Sequence, residues 1–327
     1  MTAKTLIPPA SAAENGHESR PERIPRIPLE PGEQYRFHFD MNKCVGCHCC
    51  DVACSEQNNN PPDVSWRRVG EVEGGAYPHT LRSYVSMGCN HCLEPACLTG
   101  CPVDAYEKEG NGIVLHKDDV CIGCQYCTWN CPYGVPQYNP ERKIVTKCDM
   151  CHSRLSAGQE PACVAACPSG AIEIETVNAE RWKRDPMAGD APGIPQVEGT
   201  LSTTRFTLPD SLPDSSVTTS YYQIKPEDAH PSLIFLTLLT QISVGGFLTF
   251  WLIDLFSQGS FFPQAAHRSL AIGAVASLLA GLIAMGASVF HLGRPMYAFR
   301  ALKMWRRSWL SREILFFTLF AAAAIAT

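Results

Sequence analysis

Seventeen cysteines lie between Cys44 and Cys167, and the rest of the 327-residue chain has none. Sixteen of them fall into four groups of four. Cys44, Cys47, Cys50 and Cys54 read C-x2-C-x2-C-x3-C, and Cys121, Cys124, Cys127 and Cys131 repeat that spacing and end in Cys-Pro. Cys89, Cys92, Cys97 and Cys101 widen the middle gap, and Cys148, Cys151, Cys163 and Cys167 widen it further; both again end in Cys-Pro. Thiolates at such spacing wrap a compact multi-iron centre, and C-x2-C-x2-C-x3-C-P is the ferredoxin pattern for a 4Fe–4S cluster. The chemistry expected is one-electron transfer through four such clusters.

In two-cluster ferredoxins the fourth cysteine of one group ligates the cluster of the other. With four groups, the economical arrangement is two nested pairs. The outer pair gives Cys44, Cys47, Cys50 and Cys167 on one cluster, and Cys148, Cys151, Cys163 and Cys54 on its mate. The inner pair gives Cys89, Cys92, Cys97 with Cys131, and Cys121, Cys124, Cys127 with Cys101. Cys49 is left over; Cys50 completes the spacing, so Cys49 is expected to point away, a swap of the two being the alternative.

Two other uses of cysteine can be weighed. A disulfide scaffold wants an oxidising compartment and usually an even count, and C-x2-C pairs are too close to staple distant loops. Cys44-Val-Gly-Cys47-His48 and Cys148-Asp-Met-Cys151-His152 match the haem-attachment pattern C-x-x-C-H, but their sulfurs are already used by the larger groups.

The elements that position the groups repeat with them. Tyr35, Phe37 and Phe39 alternate with Arg36, His38 and Asp40, a half-buried strand entering the first group. Ile113, Val114 and Leu115 lead into the third. Cys101-Pro-Val-Asp-Ala-Tyr and Cys167-Pro-Ser-Gly-Ala-Ile each leave into a strand-like run. Strand, cysteine turn, short helix, Cys-Pro, strand is the half-unit of a two-cluster ferredoxin, and such repetition implies a paired architecture. The fold class expected is α+β: two pseudo-symmetric ferredoxin-like modules over residues 35–178, followed by transmembrane helices.

Charge divides the chain. Residues 233–327 carry 7 of the 27 basic and 2 of the 32 acidic residues, so a basic apolar tail follows an acidic body. An acidic body offers no footprint for nucleic acid. Residues 1–34 lack an apolar core and a twin-arginine pair, and read as a disordered leader rather than a secretory signal. In 179–232, Pro186, Pro192, Pro195, Pro209, Pro213 and Pro226 interrupt regular structure; composition suits an arm wrapped on a partner or a flexible linker equally.

Residues 233–256 and 269–292 are each long enough to cross the ~30 Å hydrocarbon core as a helix. Ser277 with Gly281, and Ala284 with Ser288, space small residues for close helix packing. A third apolar run, from Ile314, stops at Thr327 and reads as an incomplete span. Only Arg268 lies between the first two spans, whereas Arg294, Arg300, Lys303, Arg306, Arg307 and Arg312 follow the second. The positive-inside rule puts that loop, and with it the cysteine body, on the cytoplasmic side of a cell membrane. Two alternatives remain: the cations dock the acidic body, or the protein is exported with a partner to the periplasmic face.

Several stretches resemble a known family. Cys89-Asn-His-Cys92, Glu94-Pro-Ala-Cys97, Cys121-Ile-Gly-Cys124, Cys131-Pro-Tyr-Gly-Val-Pro-Gln-Tyr-Asn139, Ser65-Trp-Arg-Arg-Val69 and Thr146-Lys-Cys-Asp149 are similar to the iron–sulfur subunit of dimethyl sulfoxide reductase-type molybdoenzymes. His291-Leu-Gly-Arg-Pro-Met-Tyr-Ala-Phe299 and Leu310-Ser-Arg-Glu-Ile314 resemble the membrane anchor subunit of the same enzymes, normally a separate protein of eight helices. The motif departs from the familiar form at Arg294 and Tyr297. The resemblance implies that His291 and Glu313 belong to a quinol site on the cluster side of the membrane. It implies a full 4Fe–4S cluster where Cys124 is kept, nearest the quinol.

The function expected is an electron wire. Membrane quinol near His291 and Glu313 gives up electrons and protons, with a base taking the protons. Electrons pass the third, second, fourth and first groups in turn to a molybdopterin catalytic subunit on another polypeptide, where the terminal substrate is chosen. Implied partners are that subunit, the lipid and quinone pool, and further anchor helices. The alternative within redox chemistry is the iron–sulfur subunit of a formate dehydrogenase or hydrogenase feeding quinone. A non-redox assembly protein with structural clusters would have little use for four.

Overall fold

The structure, a computed structural model, describes residues 29–185, 189–192, 194, 200–213, 215–219, 230–257 and 264–326. Most of the expected leader (1–28) and Pro186, Pro195 and Pro226 of the expected linker lie outside the described residues.

Each cysteine group sits in the same local frame. Strand β1 (Glu33–Asp40) enters the first group and helix α1 (Cys49–Asn58) leaves it. After a hairpin of β2 (Arg68–Ala76) and β3 (His79–Met87), the second group holds Cys97 on α2 (Ala96–Gly100) and leaves into β4 (Tyr106–Lys108). The third lies between β5 (Val114–His116) and the pair α3 (Tyr126–Asn130) and β6 (Gln137–Asn139). β7 (Ile144–Thr146) precedes the fourth, whose longer gap forms α4 (His152–Ser156) before α5 (Ala162–Ala165) and β8 (Ile172–Asn178).

Pairing of these elements nests the groups. β1 runs antiparallel to β8 with Phe37 opposite Ile174, and α1 packs on α5, so the first and fourth groups form one module. Between them, α2 packs on α3, while β4 pairs with β5 and β6 with β7, joining the second and third groups. Phe39, Ile172, Phe206 and Val164 centre the outer core; Val103, Ile122, Ile144 and Val145 centre the inner one.

β1 differs from its sequence pattern. Alternation predicts one wet face, yet Gln34 through Phe39 are all buried. The reason is the segment after residue 178. Helix α6 (Ala179–Arg184) lays Trp182 under the Arg36 guanidinium, 4.5 Å from ring centre. β9 (Arg205–Thr207) then adds parallel to the free edge of β1. Glu175 neutralises the two cations enclosed there, with Arg36 Nε at 2.6 Å and Arg205 Nη2 at 2.8 Å. The charges of this face are thus buried with a shared carboxylate between them.

The same segment straps onto the cysteine body. Thr203 Oγ1 donates to Asn90 O at 2.6 Å, Thr204 Oγ1 to Asn90 Oδ1 at 2.7 Å, and β10 (Val217–Thr218) pairs with β2. The described parts of 179–232 therefore cover this protein's own cysteine body.

Among the described residues, three helices are long and apolar enough to cross a membrane, Pro231–Phe256, Arg268–His291 and Trp309–Ala326. They fall within α7 (Pro231–Ser257), α8 (Gln264–Ser288) with its terminal turn 289–291, and α9 (Trp309–Ala326). Small residues set the α7–α8 approach: a Cβ on Gly281 would lie 2.4 Å from Ser243 Oγ, and one on Gly246 2.6 Å from Ser277 Oγ. The third helix starts earlier than its apolar run predicts. Arg312 caps the segment before it, donating to the Trp305 and Arg306 carbonyls, so the polar residues Ser311, Arg312 and Glu313 are drawn into the first turn.

Candidate functional site

The first cysteine of every group is held by one turn. Two residues on stands a left-handed residue, Gly46 (φ 66°), His91 (42°), Gly123 (67°) or Met150 (59°). This bend turns its own N–H back onto the sulfur. His91 N donates to Cys89 Sγ at 3.5 Å, Gly123 N to Cys121 Sγ at 3.4 Å and Met150 N to Cys148 Sγ at 3.3 Å, and the Gly46 N–H does the same for Cys44.

A second device holds the last cysteine. Proline after Cys101, Cys131 and Cys167 stops the short helix there, and the chain turns so that the N–H four residues on reaches the sulfur. Ala105 N lies 3.3 Å from Cys101 Sγ and Ala171 N 3.2 Å from Cys167 Sγ, with Val135 serving Cys131. Cys54 has Ser55 after it, so α1 runs on and the Asn58 side-chain amide takes that role at 3.7 Å. N–H donors to sulfur favour thiolate over thiol.

These turns aim the sulfurs at shared spaces. Cys44, Cys47, Cys50 and Cys167 line a void of about 300 Å³. Cys89, Cys92, Cys97 and Cys131 line another of about 350 Å³, and Cys101, Cys121, Cys124 and Cys127 a third of about 280 Å³. Cys54, Cys148, Cys151 and Cys163 are close enough to act electrostatically on one another. Each set draws its fourth cysteine from the partner group. All 17 cysteines are unpaired, and Cys49 is exposed and outside the first void.

The donor sets fit a cluster better than a lone ion. Among the described residues, no three His, Cys, Asp or Glu side chains converge as ligands of a single metal ion do. Burial pushes the Cys54, Cys92 and Cys124 thiols up to about 12. Thiolates packed this way need positive charge among them, as iron supplies. Buried polar groups also stand by the sulfurs: Arg67 beside the outer pair, Tyr133 by Cys92 and Cys131, Tyr106 by Cys127 and His116 by Cys121.

Two of the nearest cations are more than motif letters. Arg67 and Lys147 are each 3% exposed. Lys147 Nζ donates to the carbonyls of Val114 and Cys148 and lines the second group's void. The signal available for them in sequence was only a cation inside a quoted motif, which does not say whether it is buried.

At the membrane end, the 289–308 connection lies on the third group. Gly293 N donates to Gly123 O at 3.3 Å and Arg294 N to Ile122 O at 3.0 Å. Arg294 Nη1 reaches Asp118 O at 2.8 Å, Arg300 Nη1 reaches Asp119 O at 3.0 Å, and Ser308 Oγ reaches Gly100 O at 2.8 Å. Glycines make this possible: a Cβ on Gly293 would meet Lys143 O at 2.2 Å, and one on Gly123 the same oxygen at 2.5 Å.

Below that contact, α7, α8 and α9 border an open cleft of about 1270 Å³ whose polar lining includes Thr237, Thr240, Gln241 and Glu313. Burial raises the phenol of Tyr126, between Cys124 and Cys127, and the Glu313 charge is near enough to add to it. His291 does not line the cleft. Its Nδ1 turns to the Ser288 carbonyl, so the structure does not bring His291 and Glu313 onto one space.

Cysteine sets of this spacing, cradled by backbone N–H groups and joined to apolar helices, define an iron–sulfur electron-transfer protein with a membrane anchor. Residues 81–177 match the 4Fe-4S dicluster domain family and residues 228–326 the DMSO reductase anchor subunit (DmsC). Over 167 residues the sequence is 42% identical to the probable anaerobic dimethyl sulfoxide reductase chain YnfG of Escherichia coli K12, covering 49% of this chain and 82% of that one. It is 39% identical over 169 residues, with the same coverage, to an anaerobic dimethyl sulfoxide reductase chain of Haemophilus influenzae. A formate dehydrogenase iron-sulfur subunit of H. influenzae is 40% identical over 171 residues, 45% of this chain and 55% of that protein. The protein belongs to the family of dimethyl sulfoxide reductase iron–sulfur subunits, with the anchor domain of the same enzymes joined to it.

Proposed function

We propose that this chain passes electrons from membrane quinol, through four 4Fe–4S clusters, to a molybdopterin catalytic subunit. The observation carrying this reading is the docking of the anchor's 289–308 connection directly on the third cysteine group. The ligands are the sixteen cysteines in the sets above: Cys44, Cys47, Cys50, Cys167; Cys54, Cys148, Cys151, Cys163; Cys89, Cys92, Cys97, Cys131; and Cys101, Cys121, Cys124, Cys127. When bound there, the clusters supply a row of one-electron carriers whose potentials depend on burial and hydrogen bonds to sulfur.

The chain's own residues do the rest. The apolar cleft holds the quinol ring, with Glu313 as proton acceptor and Gln241 and Thr240 as hydrogen-bond partners for ring oxygens. His291, at the end of α8, takes the proton onward rather than touching the ring. Arg294, Arg300 and Lys303 bind the body at Asp118, Asp119 and Asp104, so these cations report docking and do not by themselves decide the side of the membrane. Anchor similarity over 228–326 favours the dimethyl sulfoxide reductase type over the formate dehydrogenase reading.

Two measurements test this. Anaerobically purified protein should hold roughly sixteen irons, as four full clusters require; about eight would leave only one ferredoxin-like module. Glu313→Gln should slow quinol-driven reduction of the clusters by about a hundredfold or more, the usual loss for a general base, while dithionite still reduces all of them. Undiminished quinol-driven reduction removes Glu313 from the site.

A further inference from the structure

Arg67 lies at the start of the β2–β3 hairpin, sealed from solvent at 3% exposure. Its Nη1 donates to Ser86 Oγ at 3.1 Å, and the same hydroxyl lies 3.4 Å from Cys50 Sγ. Its guanidinium carbon sits 4.7 Å above the Phe37 ring, which fixes the plane. Gly88 leaves the room: a Cβ there would stand 3.0 Å from Nη2 and 3.2 Å from the guanidinium carbon. Nη2 has no hydrogen-bond partner within the protein. Carboxylates normally accompany a buried arginine. The charges that act on this one are instead Cys50 of one set and Cys54, Cys148 and Cys163 of the other.

We propose that Arg67 is a fixed cation that raises the reduction potentials of the two clusters of the outer module together. The proposal rests on the four-cluster reading above. Reduction adds a negative charge to a buried site, and a permanent positive charge in low dielectric stabilises the reduced form of whatever it sits beside. Arg67 stands between both outer sets, so it acts on two potentials at once, and Ser86 ties it to the first. The inner module has its own buried cation, Lys147, at the second group's set, so Arg67 is assigned to the outer pair alone. Arg67 is a positioning and tuning residue: it carries no electron itself.

An EPR-monitored redox titration of the membrane-bound holoprotein, with iron quantified, decides the matter. Arg67→Met is expected to weaken electron affinity of both outer clusters at least tenfold, a fall of 59 mV for a one-electron couple, leaving the inner two in place. Arg67→Lys keeps the charge and should restore most of the shift. Full iron with four unchanged potentials in Arg67→Met overturns the proposal, as does an equal shift of all four. If Arg67→Met fails to retain iron, Gly88→Ala decides: displacing the guanidinium should lower the same two potentials by a smaller amount, and no change there overturns the assignment. Failure of the four-cluster reading would show separately, as a low iron count in the unaltered protein.

Discussion

The two ends of the cysteine row are finished differently. At the membrane end, Cys101, Cys121 and Cys127 are buried, and the 289–308 connection of the same chain lies over Ile122 and Gly123. At the other end, Cys47 is exposed, flanked by Val45 at 64% and Val52 at 59% exposure. Solvent beside a redox centre and bare valines beside a turn are both costs that a free-standing carrier would avoid. One end is covered within the chain, and the other leaves a cysteine and two valines exposed.

The comparison breaks most sharply at Gly293. Replacing it with leucine drives a side chain into the Lys143 carbonyl, which even a Cβ would meet at 2.2 Å. Overpacking of about 1–3 kcal/mol or more is expected, enough to lift the connection from the third group. Quinol-driven cluster reduction should then fall at least tenfold, while iron content and dithionite reduction remain normal. Normal quinol-driven rates in Gly293→Leu would mean that the docked loop is not the electron entry.

A smaller effect is expected at the open end, where the outer module is held by charge. Desolvation raises the Glu175 carboxyl, but hydrogen bonds from Arg205 and the Arg36 charge outweigh it and hold the group below its ordinary value. The sign follows: a depressed carboxyl contributes fully above about 4.5, its unfolded value, and loses that contribution as pH falls through the lower folded value. Glu175→Gln should cost about 2 kcal/mol at neutral pH, a typical figure for hydrogen bonds to a charged group. Thermal loss of the outer clusters would come several degrees earlier, and the gap from the unaltered protein should narrow below pH 4.5. A gap that persists unchanged into acid would assign the effect to packing.

How much of this could be read from the sequence varies with the kind of force involved. The cysteine spacing and its closing prolines were legible because they are local, whereas the left-handed turn after each first cysteine was not, since His91 and Met150 stand there in place of glycine. Nesting of the groups followed from ligand exchange, and β1·β8 and α2·α3 pack accordingly. Burial of Arg36 and His38 was not legible, since the covering residues Trp182 and Arg205 lie far along the chain in a segment whose prolines suggest a linker. Arg67 was quoted inside a motif, but only folding shows that Gly88 clears its space. In the membrane tail, apolar runs gave the spans, whereas separation of His291 from the Glu313 cleft depends on how α8 ends.

The finest test of the open end concerns adjacent cysteines. Cys49 begins α1, is exposed and stands outside the void that Cys50 lines; its thiol turns instead toward Cys47, which raises it. Cys50 faces inward, 3.4 Å from Ser86 Oγ. Helical geometry separates neighbouring side chains by about 100°, so the two sulfurs cannot both reach the same cluster. Cys49→Ser should therefore leave iron content, EPR signals and thermal midpoint as they are, whereas Cys50→Ser should lose or convert the first cluster alone. Iron loss in Cys49→Ser, with retention in Cys50→Ser, would mean that the helix starts in a different register when the cluster is bound, and would move the Ser86 link from the first cluster to an idle thiol.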